Sequence, residues 1–186
     1  VSLLSLPDQA TPDELSLTVA QDSVPAGSSV ALEVSGGVPP YTFKPLSGSD
    51  LYQPTSSRSL GTISDSVFTA GQAIGKILIT VEDAVGVSTF SSIVVLPPTP
   101  FFMQSSKRIG GGTTVQLYWS YPDVAMINGY RLERSIDGSE YSFLASYDAD
   151  SVSATFNQQP AAATLGFRLF ALSGTYESMP VTIIFQ

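Results

Sequence analysis

The sequence predicts an all-β protein built as two tandem antiparallel β-sandwiches. Short apolar stretches alternate with polar residues at a period of two, which is the pattern of half-buried strands. Only 13% of the residues are charged, and Ser, Thr, Gly and Pro occupy polar positions instead, as is typical of sheets and turns. Near the middle of the chain, three prolines within residues 96–100 interrupt the strand pattern.

The proline-rich segment predicts a domain boundary, because proline fixes φ and lacks the N–H group that a sheet requires. We expect a mobile leader tail over residues 1–14, a domain over residues 15–96, a linker over residues 97–100 and a second domain over residues 101–186. Each half is long enough for a small independent domain. Fully extended, the linker spans about 15 Å.

Alternation places the strands of the first half. Strands are expected from Leu15 and over residues 30–34, and a Gly- and Pro-containing loop over residues 35–43 leads into a core strand. A short pair follows at residues 61–63 and 67–69. Residues 76–83 alternate well, and residues 83–86 turn the chain into residues 87–96. In that last strand Phe90 and Val94 oppose Ile93 and Val95, so we expect a bulge or burial on both faces.

The second half repeats this organisation. Val115, Leu117 and Trp119 alternate inward, Asn128-Gly129 is expected to turn the chain, and Asp137-Gly138 is a strong hairpin signal. Further strands are expected at residues 141–146, 152–156, 166–172 and 181–185. About seven short strands at this spacing indicate a two-sheet sandwich.

Residues 35–43, 61–63 and 79–86 give the first half its likeness to a known family. In this order and spacing, over residues 15–96, they resemble the bacterial immunoglobulin-like domains that occur in tandem in surface and secreted proteins. The resemblance implies an immunoglobulin-like sandwich in an exported bacterial protein.

Residues 101–186 resemble a fibronectin type III domain. Leu117-Tyr118-Trp119 stands where that family keeps its core tryptophan, residues 129–138 match its third strand and hairpin, and residues 167–171 match its sixth strand. The family usually has tyrosine where Phe167 stands, so we expect the bond of the tyrosine corner to be missing. The chain has no Arg-Gly-Asp tripeptide, so integrin binding has no support.

Composition excludes several chemistries. Cysteine and histidine are absent, which rules out disulfides, the usual zinc sites and Ser-His-Asp catalysis. The net charge of −8 would repel a phosphate backbone, so nucleic acid is not expected as a partner. No segment has the roughly 18–20 consecutive apolar residues of a membrane helix. We expect no catalytic residues, no metal site and no cofactor.

Two acidic pairs and one glycine-rich segment contain residue types found in ligand sites. Asp148 with Asp150, and Glu82 with Asp83, lie at strand ends where calcium is sometimes held, but solvated turn acids are the preferred interpretation. Residues 110–114 lack the lysine of a phosphate loop, so a flexible hairpin loop is expected. Glycosidase chemistry would need two acids facing each other across a cleft, which two filled sandwiches do not offer.

Exposed aromatic residues are the candidate ligand contacts. Leu51 and Tyr52 are apolar residues in the otherwise polar stretch 47–59, where a ring can stack on a sugar or fill a partner's pocket; the alternative is that they pack on the core. Tyr118 and Tyr121 admit the same two interpretations. Arg131, Arg134 and Arg168 are expected to cluster near Glu133 as a surface ion-pair ladder.

Together these observations predict a monomeric, non-catalytic module of a bacterial surface or secreted protein, located outside the cell. It would act as a spacer or bind a protein or glycan ligand in an adhesion-type role. The alternative is an accessory segment of a secreted polysaccharide-degrading enzyme whose catalytic domain lies outside this chain. A phage or pilus structural subunit would use the same folds for assembly.

Overall fold

The computed structural model describes residues 13–46, 61–104 and 106–186, and over these residues the regular structure is β-strand with a single 3-10 turn. The prediction of an all-β protein is therefore confirmed. Leu51 and Tyr52, together with residues 1–12 of the predicted tail, lie outside the described residues.

The first eight strands form two four-stranded sheets with the orders β1-β3-β6-β5 and β2-β8-β7-β4. All their pairs are antiparallel except β2 with β8, which is parallel. The strands are β1 (Ser16–Val19), β2 (Ser23–Pro25), β3 (Ser29–Ser35), β4 (Thr42–Leu46), β5 (Gly61–Ser64), β6 (Val67–Ala70), β7 (Gly75–Glu82) and β8 (Ser88–Leu96).

These two sheets enclose one hydrophobic core. Leu32 and Phe68 come from the first sheet, and Ile79 and Ile93 come from the second, all of them buried. On β7 the inward positions alternate with positions that are exposed or half-buried, as the period of two predicted. The core of the first half therefore forms by the alternation visible in its sequence.

The predicted bulge in β8 is wrong. Its register with β7 continues without a shift from Ser88 to Val95. Ile93 and Val95 are buried, whereas Phe90 lies on the opposite face with 67% of its surface exposed. The mixed apolar pattern therefore reflects a regular strand whose solvent side carries the exposed Phe90 and the half-buried Val94 and Leu96.

Nine strands follow in the second half. One sheet has the order β10-β11-β14 with β9 also on β11, and the other has the order β13-β12-β15-β16 with β17 also on β15. The strands are β9 (Phe101–Phe102), β10 (Lys107–Ile109), β11 (Thr114–Ser120), β12 (Gly129–Ile136), β13 (Ser142–Asp148), β14 (Ser153–Phe156), β15 (Leu165–Ser173), β16 (Tyr176–Glu177) and β17 (Val181–Phe185).

Trp119 lies at the centre of the second core. With Val115 and Leu117 it faces inward from β11, as predicted, and only 1% of its surface is exposed. Its ring centroid lies 5.7 Å from that of Tyr130 and 5.3 Å from that of Tyr147, both on the opposing sheet. The tryptophan therefore joins the two layers of the sandwich.

Asn128-Gly129 does not form the predicted turn. Gly129 is already part of β12, where it pairs with Asp148 and Leu172. The chain reverses earlier, in the 3-10 turn Val124–Met126, where the side chain of Asp123 accepts a hydrogen bond from the N–H of Ala125. A Cβ atom at position 129 would lie 2.6 Å from the carbonyl oxygen of Tyr147, so this glycine permits close strand approach.

Phe167 fills its position by packing. It is fully buried, stacks on Phe156 at 5.8 Å between ring centroids, and meets Phe185 edge-on at 6.1 Å. A phenyl ring has no hydroxyl group, so this position makes no tyrosine-corner bond. Aromatic packing between the sheets takes its place.

Residues 97–100 carry no strand, because β8 ends at Leu96 and β9 begins at Phe101. The domain boundaries themselves stay a prediction. Ala26 and Ile74 each pack against both hydrophobic cores. Among the described residues, no helix is long and apolar enough to cross a membrane.

Candidate functional site

Tyr118 and Tyr121 lie in different environments. Tyr118 is half-buried and points away from the core, because its neighbours Leu117 and Trp119 point inward. Tyr121 is 8% exposed and packs edge-on against Tyr130 at 6.4 Å, and its hydroxyl group has no hydrogen-bond partner among the described residues. Burial raises the pKa of the Tyr121 hydroxyl, and the nearby Tyr130 and Asp123 raise it further. Tyr121 is thus a core residue, and only Tyr118 remains available to a ligand.

Asp83 is not the solvated turn acid that the sequence suggested. It is 6% exposed, and its carboxylate accepts hydrogen bonds from the backbone N–H groups of Val38 at 3.0 Å, Val85 at 3.0 Å and Val87 at 2.8 Å. Burial alone would raise the pKa of Asp83, but these N–H donors and that of Gly86 outweigh it and hold the pKa below its ordinary value. Asp83 therefore ties two loops together.

The other acidic pair is exposed. Asp148 ends β13, and Asp150 lies in the turn that follows. In the described part of the chain, no group of three or more acidic side chains is placed to hold a metal ion. The preferred interpretation of solvated turn acids agrees with this exposure.

Residues 110–113 form the turn of the β10–β11 hairpin, and Thr114 begins β11. All three glycines have positive φ, and Thr113 Oγ1 donates a hydrogen bond to the carbonyl of Gly110 at 2.7 Å. Arg108 holds the loop from one side, donating to the carbonyls of Gly112, Ala163 and Pro160. The segment is a hairpin loop held by hydrogen bonds, and the guanidinium of Arg108 is already bonded to backbone carbonyl groups.

We call the solvent side of the β13-β12-β15-β17 sheet the outer face. It carries charged, aromatic and aliphatic side chains. Along β12, β15 and β17, the residues between its members point into the core. On β13, a register shift at Leu144 brings Phe143 to the same side, and Tyr141 lies just before that strand. Register places Phe143 beside Glu133, Glu133 beside Arg168, and Arg168 beside Thr182. The outer face comprises Arg131, Glu133, Tyr141, Phe143, Arg168, Phe170, Thr182 and Ile184.

Arg131 is fully engaged on the outer face. Its Nε and Nη2 atoms donate to the two carboxylate oxygens of Glu177 at 2.9 Å and 2.7 Å, and its Nη1 atom donates to Glu133. The guanidinium also lies 4.0 Å from the ring centroid of Phe170. Hydrogen bonding to Glu177 raises the pKa of Arg131, against the opposing effect of burial.

Arg168 has no such partner. Its guanidinium lies 3.8 Å from the ring centroid of Tyr141, and its Nε atom is buried without a hydrogen-bond partner in the described structure. Tyr141 reaches this position because Gly166 has no side chain: a Cβ atom there would lie 2.5 Å from the Tyr141 hydroxyl oxygen. The sheet therefore holds an arginine against an aromatic ring while leaving it without a counter-ion.

The predicted arginine cluster is found in part. Arg131 and Arg168 share the outer face with Glu133, and Arg131 forms the expected ion pairs. Arg134 has the opposite parity, and its Nη1 atom donates to Gln159 Oε1 at 2.8 Å. Sequence reasoning missed Phe143 and Ile184, which are 63% and 60% exposed on the same face. Parity along β17 was the signal that could have found Ile184. Phe143 has the same parity as the inward Tyr147 and reaches the outer face only through the register shift in β13, which no sequence signal marks.

Exposed apolar residues also occur in the first half. Phe90 lies on the outer side of β8, and Val85 and Val87 lie in and beside the turn that precedes it. The nearest described cation, Lys44, is paired with Glu82 at 2.8 Å. Lys76 lies on the same side of β7, opposite Val94, and is exposed with no ion pair among the described residues. Unlike Arg168, this lysine is not held against an aromatic ring.

Solved structures similar to this chain include fibronectin type III domains, both single and in tandem. No family model and no curated protein matches the chain. The chain is similar to a segment of two fibronectin type III domains from chicken tenascin, with 14% identity, a TM-score of 0.52, and 94% of this chain and 98% of that one covered. Weaker likenesses include the FN1–FN3 domains of chicken CNTN1, at 8% identity and a TM-score of 0.42 over 94% of this chain and 66% of that one. Another is a fibronectin type III domain of human collagen XX, at 10% identity and a TM-score of 0.38 over 47% and 91%.

Strand order agrees with these likenesses. The first half has two four-stranded sheets, one made of the first, third, fifth and sixth strands and the other of the second, fourth, seventh and eighth. This is the arrangement of an immunoglobulin-like sandwich. Domains of these two kinds are generally non-catalytic, are common in extracellular proteins and often mediate protein interactions. The described chain thus has the fold of an immunoglobulin-like sandwich followed by a fibronectin type III sandwich.

Proposed function

We propose that this chain is a non-catalytic, protein-binding module of a bacterial surface or secreted protein, acting outside the cell as a monomer in an adhesion-type role. The observation that carries the proposal is the outer face, where Phe143, Ile184 and the uncompensated Arg168 are presented by a rigid sheet. Exposed apolar residues around a charged anchor are typical of protein-binding surfaces. The first half then serves as the spacer that presents this surface.

A protein ligand is favoured over a glycan ligand by where the aromatic rings lie. Sugars stack on free ring faces, whereas one face of Tyr141 is covered by Arg168. A depression of about 380 Å³ at the end of the same sheet is lined by Tyr130 and Tyr147, but both rings pack against Trp119. The remaining candidates for sugar stacking are Tyr118, the exposed rings of Phe90 and Phe143, and the predicted loop residue Tyr52 beside Leu51.

The second candidate function is an accessory segment of a secreted polysaccharide-degrading enzyme, with the catalytic domain elsewhere in the protein. Sandwich domains of this kind are suited to spacing a catalytic domain from its substrate. The two candidates differ in what the isolated chain binds: the accessory segment binds polysaccharide, and the adhesion-type module binds protein.

A binding screen tests the proposal. The intact chain is measured against arrays of extracellular matrix proteins and of polysaccharides, with Tyr52→Ala alongside as a variant of the predicted loop site. We expect binding to at least one protein, and equal binding by Tyr52→Ala. Binding to polysaccharide alone, with loss in Tyr52→Ala, would refute the proposal and favour the accessory segment.

A further inference from the structure

Arg168 differs from the other arginines of the described chain in having no polar partner. Arg108 donates to three carbonyl groups, Arg131 binds two carboxylates, and Arg134 donates to Gln159. Arg168 has neither an ion pair nor a hydrogen bond among the described residues, although Glu133 is its direct neighbour across the sheet. Glu133 is held by Arg131 instead. The guanidinium of Arg168 is therefore fixed in position but has no ion-pair partner among the described residues.

The position of Arg168 is fixed by its surroundings. Phe167 and Leu169 are fully buried on either side of it along β15, so the side chain must point to the outer face. The Tyr141 ring holds the guanidinium at 3.8 Å, which limits its rotation. An ordered, planar guanidinium binds a carboxylate through two parallel hydrogen bonds with little further loss of entropy.

Apolar side chains flank this cation on both sides. Phe143 lies two strands away in the same row, and Ile184 lies on β17 beside Gly166, one row along. Both are at least 60% exposed. A ligand whose carboxylate reaches Arg168 can therefore cover an apolar residue at the same time, which adds hydrophobic burial to the charged contact.

The edge of the sheet offers a further mode of attachment. In the described structure β13 pairs only with β12, so its other edge is open to an additional strand. A strand paired there would run beside Phe143 but lie about 14 Å from β15. The residue that binds Arg168 must therefore lie in a part of the segment that crosses the outer face, and the edge of β13 can hold only its continuation.

We propose that the outer face docks an extended acidic segment of a partner protein, with a carboxylate of that segment bound by Arg168 and an adjacent apolar side chain covering Phe143 or Ile184. The inference rests on the proposed function, because it names the surface and the chemistry of the protein ligand. Acidic polysaccharide is the competing occupant. It is disfavoured because the aliphatic Ile184 has no ring face, and because a sugar chain has no backbone N–H and C=O groups to pair with the edge of β13.

A displayed random peptide library provides an unbiased probe. The library is selected against the intact chain and three variants at about 0.15 M salt, where long-range repulsion by the acidic surface is screened. The variants are Arg168→Gln, Phe143→Ser and Lys107→Gln. Lys107→Gln is the matched control, because it removes one positive charge from an exposed position on the other sheet.

The wild type and Lys107→Gln are expected to enrich peptides with Asp or Glu next to Leu, Ile, Val or Phe. For the best such peptide, Arg168→Gln should raise Kd at least about tenfold, and Phe143→Ser about fivefold. Lys107→Gln should stay within about twofold. Urea unfolding of each variant, compared with wild type, shows that the sandwich is intact.

The results that would overturn this inference differ from the result that would refute the proposed function. Enrichment that persists in Arg168→Gln, or that shows no excess of acidic residues, would overturn this inference, and protein binding in the array screen would then still support the proposed function. Binding of oligogalacturonate to the outer face, without acidic peptides, would overturn it in favour of acidic glycan. Absence of any protein ligand in the array screen is the result that refutes the proposed function itself.

Discussion

Replacing Trp119 by alanine tests the two-layer core of the second half most severely. The side chain is 1% exposed and contacts the rings of Tyr130 and Tyr147 on the opposing sheet. Truncating a buried tryptophan to alanine costs about 3–5 kcal/mol. Because two aromatic pairs of about 0.5–1.5 kcal/mol each are lost with it, we expect Trp119→Ala to lie at the upper end of that range.

The assay uses two optical signals. Trp119 is the only tryptophan, so fluorescence reports the second core in wild type, and circular dichroism reports both sandwiches. Urea unfolding of Trp119→Ala is therefore followed by circular dichroism. Phe68→Ala is the matched control, because Phe68 is fully buried in the first core. It should lower the circular dichroism transition of the first half and leave the fluorescence transition unchanged.

Two results would count against this reasoning. A loss under about 1 kcal/mol in Trp119→Ala would mean that the indole is not in the core and that the strand register is wrong. A fluorescence transition that moves with Phe68→Ala would mean that the two halves unfold as one unit, against the predicted domain boundary.

Three further predictions concern single side chains. The pKa of Asp83 is lower in the folded than in the unfolded chain, so wild type should lose stability as pH falls below about 4. Asp83→Asn should be less stable than wild type at pH 7, and its free energy of unfolding in urea should fall less steeply between neutral and acidic pH. The pKa of Tyr121 is raised in the folded chain, so wild type should lose stability above about pH 10. Tyr121→Phe should reduce that loss without removing it, because burial also raises the pKa of Tyr130 and of Tyr147. At neutral pH the variant should stay within about 1 kcal/mol of wild type because the hydroxyl has no partner among the described residues, and a larger cost would contradict its placement. Ile74→Asp should widen the range of arrangements of the two halves seen by small-angle scattering, because Ile74 packs against both cores. The control Val85→Asp changes an exposed residue and should leave the scattering curve as in wild type. Identical curves for the two variants would refute the contact of Ile74 with both cores.

Long alternating strands were predictable because their burial is a local property. The inward residues of β7 and β11 follow directly from the period of two, and the Asp137-Gly138 hairpin follows from residues that accept positive φ. Strands of two or three residues, such as β2 and β16, carry no period and were missed. They exist because neighbouring strands offer them hydrogen-bonding partners.

The role of Asp83 and the composition of the outer face depend on contacts distant in sequence. One donor to Asp83 comes from Val38, which is 45 residues away. Phe143, Glu133 and Arg168 become neighbours only through the registers of β12 with β13 and β15. The sequence predicted the arginines on neighbouring strands. That Arg131 pairs with Glu133 and Arg168 does not can be seen only in the folded sheet.

Hydrogen exchange with a bound ligand tests the central claim most directly. The intact chain is measured alone and with the protein ligand that binds best in the array screen. If the ligand binds the outer face, amide hydrogen exchange should be slower in β13 and in the neighbouring residues of β12 and β15 than in the free chain. Protection confined to residues 47–59, with no change in β13, would contradict it and place the ligand on the loop that contains Tyr52.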